Sequence, residues 1–226
     1  MSKQSYIKPN KLKVFRDLLV RGRYEEILSK SITNLIANNV HKESIKILDF
    51  GSGIEPTILQ MVRKKLLEKS IKSISHGYDL YDENELKKLN NLNESEFYFN
   101  TKSLKTNDET YDVAVVSDVL HHMGIENTKL ISEILLSIKK KTKFLIIKDH
   151  FQYGFFSNQM IRFMDFFGNL NSNIKTPNKY YSQKQFDKLM ESLNLSIKYK
   201  ILDNRYHPKF LIFFNNPKYH FIYLLE

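Results

Sequence analysis

Three stretches of the chain set reactive side chains at the ends of apolar runs: "ILDFGSG" (47–53), "SDVLHHM" (117–123) and "KDHF" (148–151). A histidine near neutral pKa suits removal of a proton from a hydroxyl or an ammonium. His121 and His122 follow one apolar run, and Asp149 and His150 end another, so these are the candidate acid–base groups. "KDH" is the more unusual, because two charges and an imidazole beside a buried strand must find partners or water. Asp149 or His150 is therefore assigned a substrate-side role.

The glycine stretch points to a ligand of a different kind. Gly51 and Gly53 let the backbone pass close to a bound group, and a helix directly behind them offers unpaired N–H groups. Ordinary turns also use Gly-Ser-Gly, so the loop alone leaves both readings open. Pro56 stands where G-x-G-x-x-G has its third glycine, and no P-loop pattern is present. Asp79 adds a second feature. A carboxylate closing the next strand can accept hydrogen bonds from both hydroxyls of a ribose. Its plainer reading is a solvated aspartate. Two such features on successive strands point to a nucleoside-containing ligand. No metal-ligand pattern is assigned.

These residues need elements to hold them. Apolar spacing predicts helix over 11–39, in two pieces broken at "RGR" (21–23). Strands are predicted at 45–50, 73–80, 96–100, 111–120 and 143–151. Helices are predicted at 56–70, 81–92 and 127–141, with Pro56 in the first turn of its helix. The strands are β-branched and apolar throughout, as in a parallel sheet covered on both faces. Ligands then bind beyond the carboxyl ends of the strands, where Asp49–Gly53, Asp79, Asn100, Ser117–His122 and Lys148–His150 gather. Beyond residue 150 lie an aromatic-rich stretch (151–171), a helix over 181–195 with Ser182 as N-cap, and strands at 196–202 and 209–215.

The 226 residues suffice for one α/β domain with a sizeable core. The expected organisation is a single unit over 1–226: N-terminal helices (1–44), a ligand-binding half (45–150) and a substrate-side lid, helix and last two strands (151–226). There are no cysteines, which excludes disulfides, thiolate metal sites and thiol nucleophiles. No run reaches the roughly 18 apolar residues of a membrane span, and the N-terminus has no signal-like apolar core; a cytoplasmic protein is expected. The net charge of +10 fits an anionic partner. It also fits a composition rich in Lys, Asn and Ile, with the lysines spread along the chain.

"ILDFGSG", "GYDL" and "YDVAVVSDVLHHM", in that order, resemble the first, second and fourth motifs of the class I S-adenosylmethionine-dependent methyltransferases. The resemblance covers about residues 45–150. It implies an open, doubly wound, mostly parallel seven-stranded Rossmann-like sheet with an antiparallel last strand. It implies S-adenosyl-L-methionine as cofactor. Asp49, Gly51, Ser52 and Gly53 would line its methionine end. Asp79 would hold the ribose, Leu80 would pack on the adenine, and Asn100 and Thr101 would meet the adenine edge. Ser117 and Asp118 would close over the methionine moiety. In this family a histidine of "LHHM" often only supports its loop, which weighs against His121 and more so against His122. Glu55 stands where the family usually has a third glycine.

Three readings of function follow. The first is methyl transfer to a small molecule, lipophilic or aromatic, at O or N. Its support is the aromatic content of 151–171, with Arg162 and Asp165 as possible orienting groups. The bland reading of that segment is a packed helix or a dimer contact. The second is RNA methylation, favoured by the charge, with nucleic acid as partner. The third is cofactor binding or scaffolding without turnover, for which Glu55 is the best support. The oligomeric state is not specified by the sequence.

Overall fold

The computed structural model describes residues 24–52, 56–79, 97–99, 108–169, 175–203, 206 and 216–226. In chain order the elements are α1 (Tyr24–Asn39), β1 (Ser44–Phe50), α2 (Thr57–Leu67), β2 (Lys72–Tyr78), β3 (Phe97–Phe99), β4 (Tyr111–Ser117), α3 (Thr128–Lys139), β5 (Thr142–His150), α4 (Phe155–Gly168), α5 (Gln183–Ser192), β6 (Ile197–Leu202) and β7 (His220–Leu225). The first piece of the expected N-terminal helix, the helix expected at 81–92 and the strand expected at 209–215 lie outside the described residues. So do Gly53, Glu55, Leu80, Asn100 and Thr101.

The strands form one seven-stranded sheet in the order β3-β2-β1-β4-β5-β7-β6. β1 pairs in parallel with both β2 and β4, and β4 with β5. The order reverses between β1 and β4, which opens a crevice at their carboxyl ends. β7 runs antiparallel between β5 and β6. Its register sets His150 opposite His220, so the amino end of β7 joins the same edge.

Alternation along the strands divides the core between the two faces. Phe144 and Ile146 of β5 pack with Leu28, Ile32, Leu59 and Val62 of α1 and α2. Leu145 and Ile147 pack with Ile131 and Leu135 of α3 and Phe186 and Met190 of α5. Each such aliphatic side chain contributes roughly 1.5–3 kcal/mol on burial. A sheet held from both sides in this way fixes its strand ends, which is where the polar residues collect.

Three sequence expectations shift. Pro56 is the N-cap of α2 rather than a residue of its first turn. β4 ends at Ser117, three residues early, because Asp118 turns the chain with φ +56° and Leu120–Met123 coils into a 3-10 turn. The strand beside β6 is β7 at 220–225, which the sequence reading left unassigned. Its six residues are all buried, and "HFIYLL" reads as a short apolar run without the alternation of a half-exposed strand. Ser182 does cap α5: its hydroxyl accepts from the Gln185 amide, and the Gln185 side chain accepts from the Ser182 amide.

Candidate active site

The first part of the site lies at the ends of β1 and β2. The Gly51 and Ser52 amides both donate to the Tyr78 carbonyl, at 2.7 and 3.3 Å, which ties the two strand exits together. Gly51 has φ +79°, and a Cβ there would lie 2.2 Å from Cγ2 of Val119. Both facts require glycine. Asp49 is buried at the end of β1, and Asp79 is half-buried just past β2. Burial, with the Asp79 charge added, pushes the Asp49 carboxyl up to about 7. Two neighbouring carboxylates of this kind suit a ligand that brings an ammonium and hydroxyl donors. The donor set therefore fits the methionine and ribose portions of S-adenosylmethionine.

The second part centres on Asp118, at the exit of β4. Its amide donates to the Lys148 carbonyl at 2.9 Å. Its carboxylate is engaged by the Lys148 ammonium, the Tyr24 hydroxyl and, at 3.1 Å, His150 Nε2. Burial alone would push this carboxyl up, but the Lys148 charge and the His150 hydrogen bond hold it well below the usual range. Lys148 is 1% exposed, and its ammonium lies 4.7 and 5.9 Å from the Tyr24 and Tyr206 ring centroids. A buried lysine needs such compensation. His150 Nδ1 is buried without a hydrogen-bond partner. Burial, with the Lys148 charge, lowers the pKa of the His150 ring.

The third part runs from β5 to α4 through the 3-10 turn. His121 is 3% exposed, and its Nδ1 lies 2.6 Å from Asp149 Oδ1. The His121 amide also donates to Asp149 Oδ2, at 3.2 Å. On the far side of the ring, Nε2 faces Asp165 Oδ1 of α4 at 3.5 Å. Burial opposes charge on His121, yet Asp149 and then Asp165 raise it to about 10. The His122 ring lies 3.9 Å from that of His121, and burial with the His121 charge lowers it to about 4. Tyr180 and His220 complete the wall. The ring centroids are 5.4 Å apart for Tyr180 and His121, and 4.7 Å for His220 and His150.

The structure thus brings Asp49, Gly51, Ser52, Asp79, Ser117, Asp118, His121, Asp149 and His150 to one sheet edge. Of the aromatic stretch, Phe151 is buried and stacked on Phe221 at 3.8 Å. Phe155, Phe156, Phe163 and Phe166 of α4 are exposed. Arg162 donates to Gln159 on the same helix, at 3.2 Å. Tyr24, Tyr206 and His220 were missed. No sequence motif marks them, and only long-range contacts carry them to the site.

The sheet order is that of a class I S-adenosylmethionine-dependent methyltransferase. The methyltransferase domain model matches residues 20–199, and the chain belongs to that family. Solved structures share the fold at low identity. Magnesium protoporphyrin IX methyltransferase from Synechocystis PCC 6803, with bound S-adenosylhomocysteine, is 14% identical with a TM-score of 0.58, over 97% of this chain and 88% of that one. The plantazolicin methyltransferase, also with S-adenosylhomocysteine, is 15% identical with a TM-score of 0.60, over 96% and 89%. The Burkholderia thailandensis 1,6-didemethyltoxoflavin-N1-methyltransferase is 11% identical with a TM-score of 0.55, over 99% and 92%. No curated protein matches the sequence. Among the described residues, no helix is long and apolar enough to cross a membrane.

Proposed function

We propose that this methyltransferase acts on a small lipophilic or aromatic acceptor, at O or N, with His150 as the proton acceptor. The observation that carries the reading is the state of the His150 ring. Its Nε2 lies 3.1 Å from the Asp118 carboxylate, which fixes the tautomer with the proton on Nε2. Nδ1 then keeps its lone pair, buried and without a partner. The cofactor, when bound, supplies a methyl group already activated on a sulfonium. The protein has to align the acceptor, exclude water and take the proton. With the methyl group moving from sulfur to the acceptor's O or N, the acceptor would have a proton to lose, and His150 Nδ1 would take it.

The other residues have supporting roles in this reading. Asp49, with the Gly51–Ser52 turn, holds the methionine end, and Asp79 holds the ribose. Gly53, Leu80, Asn100 and Thr101 are assigned to the same cofactor by resemblance. Ser117 sits beside the reacting groups at the end of β4. His121 faces a carboxylate on each side, so it acts by positioning Asp149. Asp149 in turn accepts from the His150 amide at 2.8 Å and steadies that ring's backbone. Small acceptors appear among the structural neighbours, in the toxoflavin and plantazolicin enzymes, and support the same class of substrate here.

The net charge of +10 favours RNA as a second acceptor class. Transfer to RNA would fall steeply with added salt, whereas transfer to a small neutral acceptor would not. Incubation with labelled S-adenosylmethionine and panels of small phenols, carboxylates, amines and total RNA tests the reading. Label in a small acceptor, lost in His150→Ala, is the expected result; label only in RNA would overturn it.

A further inference from the structure

One cluster has a capacity that the proposed methyl transfer leaves unused, although His121 belongs to both. His121 and His122 are adjacent in the 3-10 turn, and side chains of adjacent residues there normally diverge. Both rings nevertheless turn Nε2 toward the same atom, Asp165 Oδ1 on α4, at 3.5 and 3.8 Å. The three ligand atoms all lie within 4.8 Å of one another. Donors around a tetrahedral zinc ion with bonds near 2.0–2.1 Å stand roughly 3.4 Å apart, so little movement is needed to close the set. His121 Nε2 and Asp165 Oδ2 are buried outside hydrogen-bond geometry, and the His121 residue is only 3% exposed; an ion bound there would displace the proton that the two flanking carboxylates favour on the His121 ring.

The surroundings point the same way. His121 Nδ1 is held by Asp149 at 2.6 Å. Metal-bound histidines regularly give their other ring N–H to a carboxylate, which fixes the ring and raises its basicity. Asn169 donates to Asp165 Oδ1 at 2.8 Å and steadies the third donor. The neighbouring group of Asp118, His121, Asp149 and His150 is also close enough to hold an ion. There, however, the Lys148 ammonium already fills the place of a cation on Asp118.

We propose that His121 Nε2, His122 Nε2 and Asp165 form a binding site for one divalent transition-metal ion of the zinc class, with Asp149 orienting His121. Two histidines and one carboxylate leave a coordination position open for water or for an acceptor oxygen or nitrogen. The ion would join α4 to the exit of β4. No sequence spacing announces the site, because Asp165 comes from a distant segment.

The test uses the full chain, stripped with chelator and dialysed against zinc, with bound metal counted by mass spectrometry. Cobalt(II) titration gives an optical readout of the ligand field. One equivalent of zinc is expected. His122→Gln and the isosteric Asp165→Asn should each weaken binding at least about tenfold, and Asp149→Asn by about 10–100-fold. His41→Gln, at an exposed histidine outside the cluster, should change nothing. S-adenosylhomocysteine affinity is measured on the same samples. Cofactor binding without zinc binding by the folded wild type would overturn this proposal alone. Zinc binding unchanged in both His122→Gln and Asp165→Asn would overturn it equally.

Discussion

His150 Nε2 stands 3.1 Å from Asp118 Oδ1, and this contact joins the exits of β4 and β5 at the carboxyl edge of the sheet. The aspartate sits at φ +56°, a left-handed conformation that aspartate tolerates better than most residues. The turn at Asp118 thus sets which nitrogen of His150 faces the carboxylate; under the proposed function the other nitrogen takes the proton.

Replacing His150 by Ala should reduce methyl transfer by about a hundredfold to ten-thousandfold, the usual contribution of a positioned general base. Affinity for S-adenosylhomocysteine should be unchanged. Single-turnover transfer and calorimetry on the same preparation separate the two. Equal loss of both would move His150 to the cofactor side.

Asp79→Ala should weaken cofactor binding by at least about tenfold, as expected for charge-assisted hydrogen bonds worth roughly 1.5–3 kcal/mol. The variant should fold, because Asp79 is half-buried and lies just past the end of β2. Unchanged affinity in a folded variant would refute the ribose assignment.

Gly51→Ala should destabilise the protein by roughly 1–3 kcal/mol, through its positive φ and the contact with Val119. In a Val119→Ala background the contact is relieved and only the backbone term remains, so the double variant should lose less than the sum of the singles. Strict additivity in denaturant titrations would show that Val119 does not press on this turn.

Asp49 gives a pH dependence with a definite sign. Its folded pKa is raised from the ordinary carboxylate range to about 7. Its contribution to stability is therefore full below the unfolded value and is lost as pH rises through about 7. Cofactor-free protein should melt at a lower temperature at about pH 8 than at about pH 5, and Asp49→Asn should flatten that slope. Saturating S-adenosylmethionine should stabilise the wild type more as pH rises, because the ionised Asp49 gains a cationic partner. An identical slope in wild type and variant would contradict this.

Much of this was legible before the fold was known. The alternation of apolar strands and amphipathic helices placed β1, β2, β4 and β5, and each of these carries polar residues at or just past its carboxyl end. Asp49, Asp79, Asp118 and His150 were found that way. The 220–225 strand was harder, because a short all-apolar run looks the same whether it is a central strand or part of a buried helix. Tyr24 and Tyr206 were invisible for another reason. Their roles depend on contacts with Lys148 and Asp118 far along the chain, and an isolated tyrosine carries no periodic signal. Asp165 was noticed as a possible orienting group, but its convergence with His121 and His122 needs the packing of α4 on the 3-10 turn. Phe151 lies in the same aromatic stretch as the exposed phenylalanines, yet the sheet covers it, and composition alone does not separate the two.

The most direct test of the account is calorimetric titration of the purified chain with S-adenosylhomocysteine, run beside the Asp79→Ala variant. Saturable binding near one to one, weakened in the variant, is the predicted result and would justify the acceptor screen. A folded wild-type protein that takes up neither S-adenosylhomocysteine nor S-adenosylmethionine would contradict the assignment of this sheet edge as a working methyltransferase site.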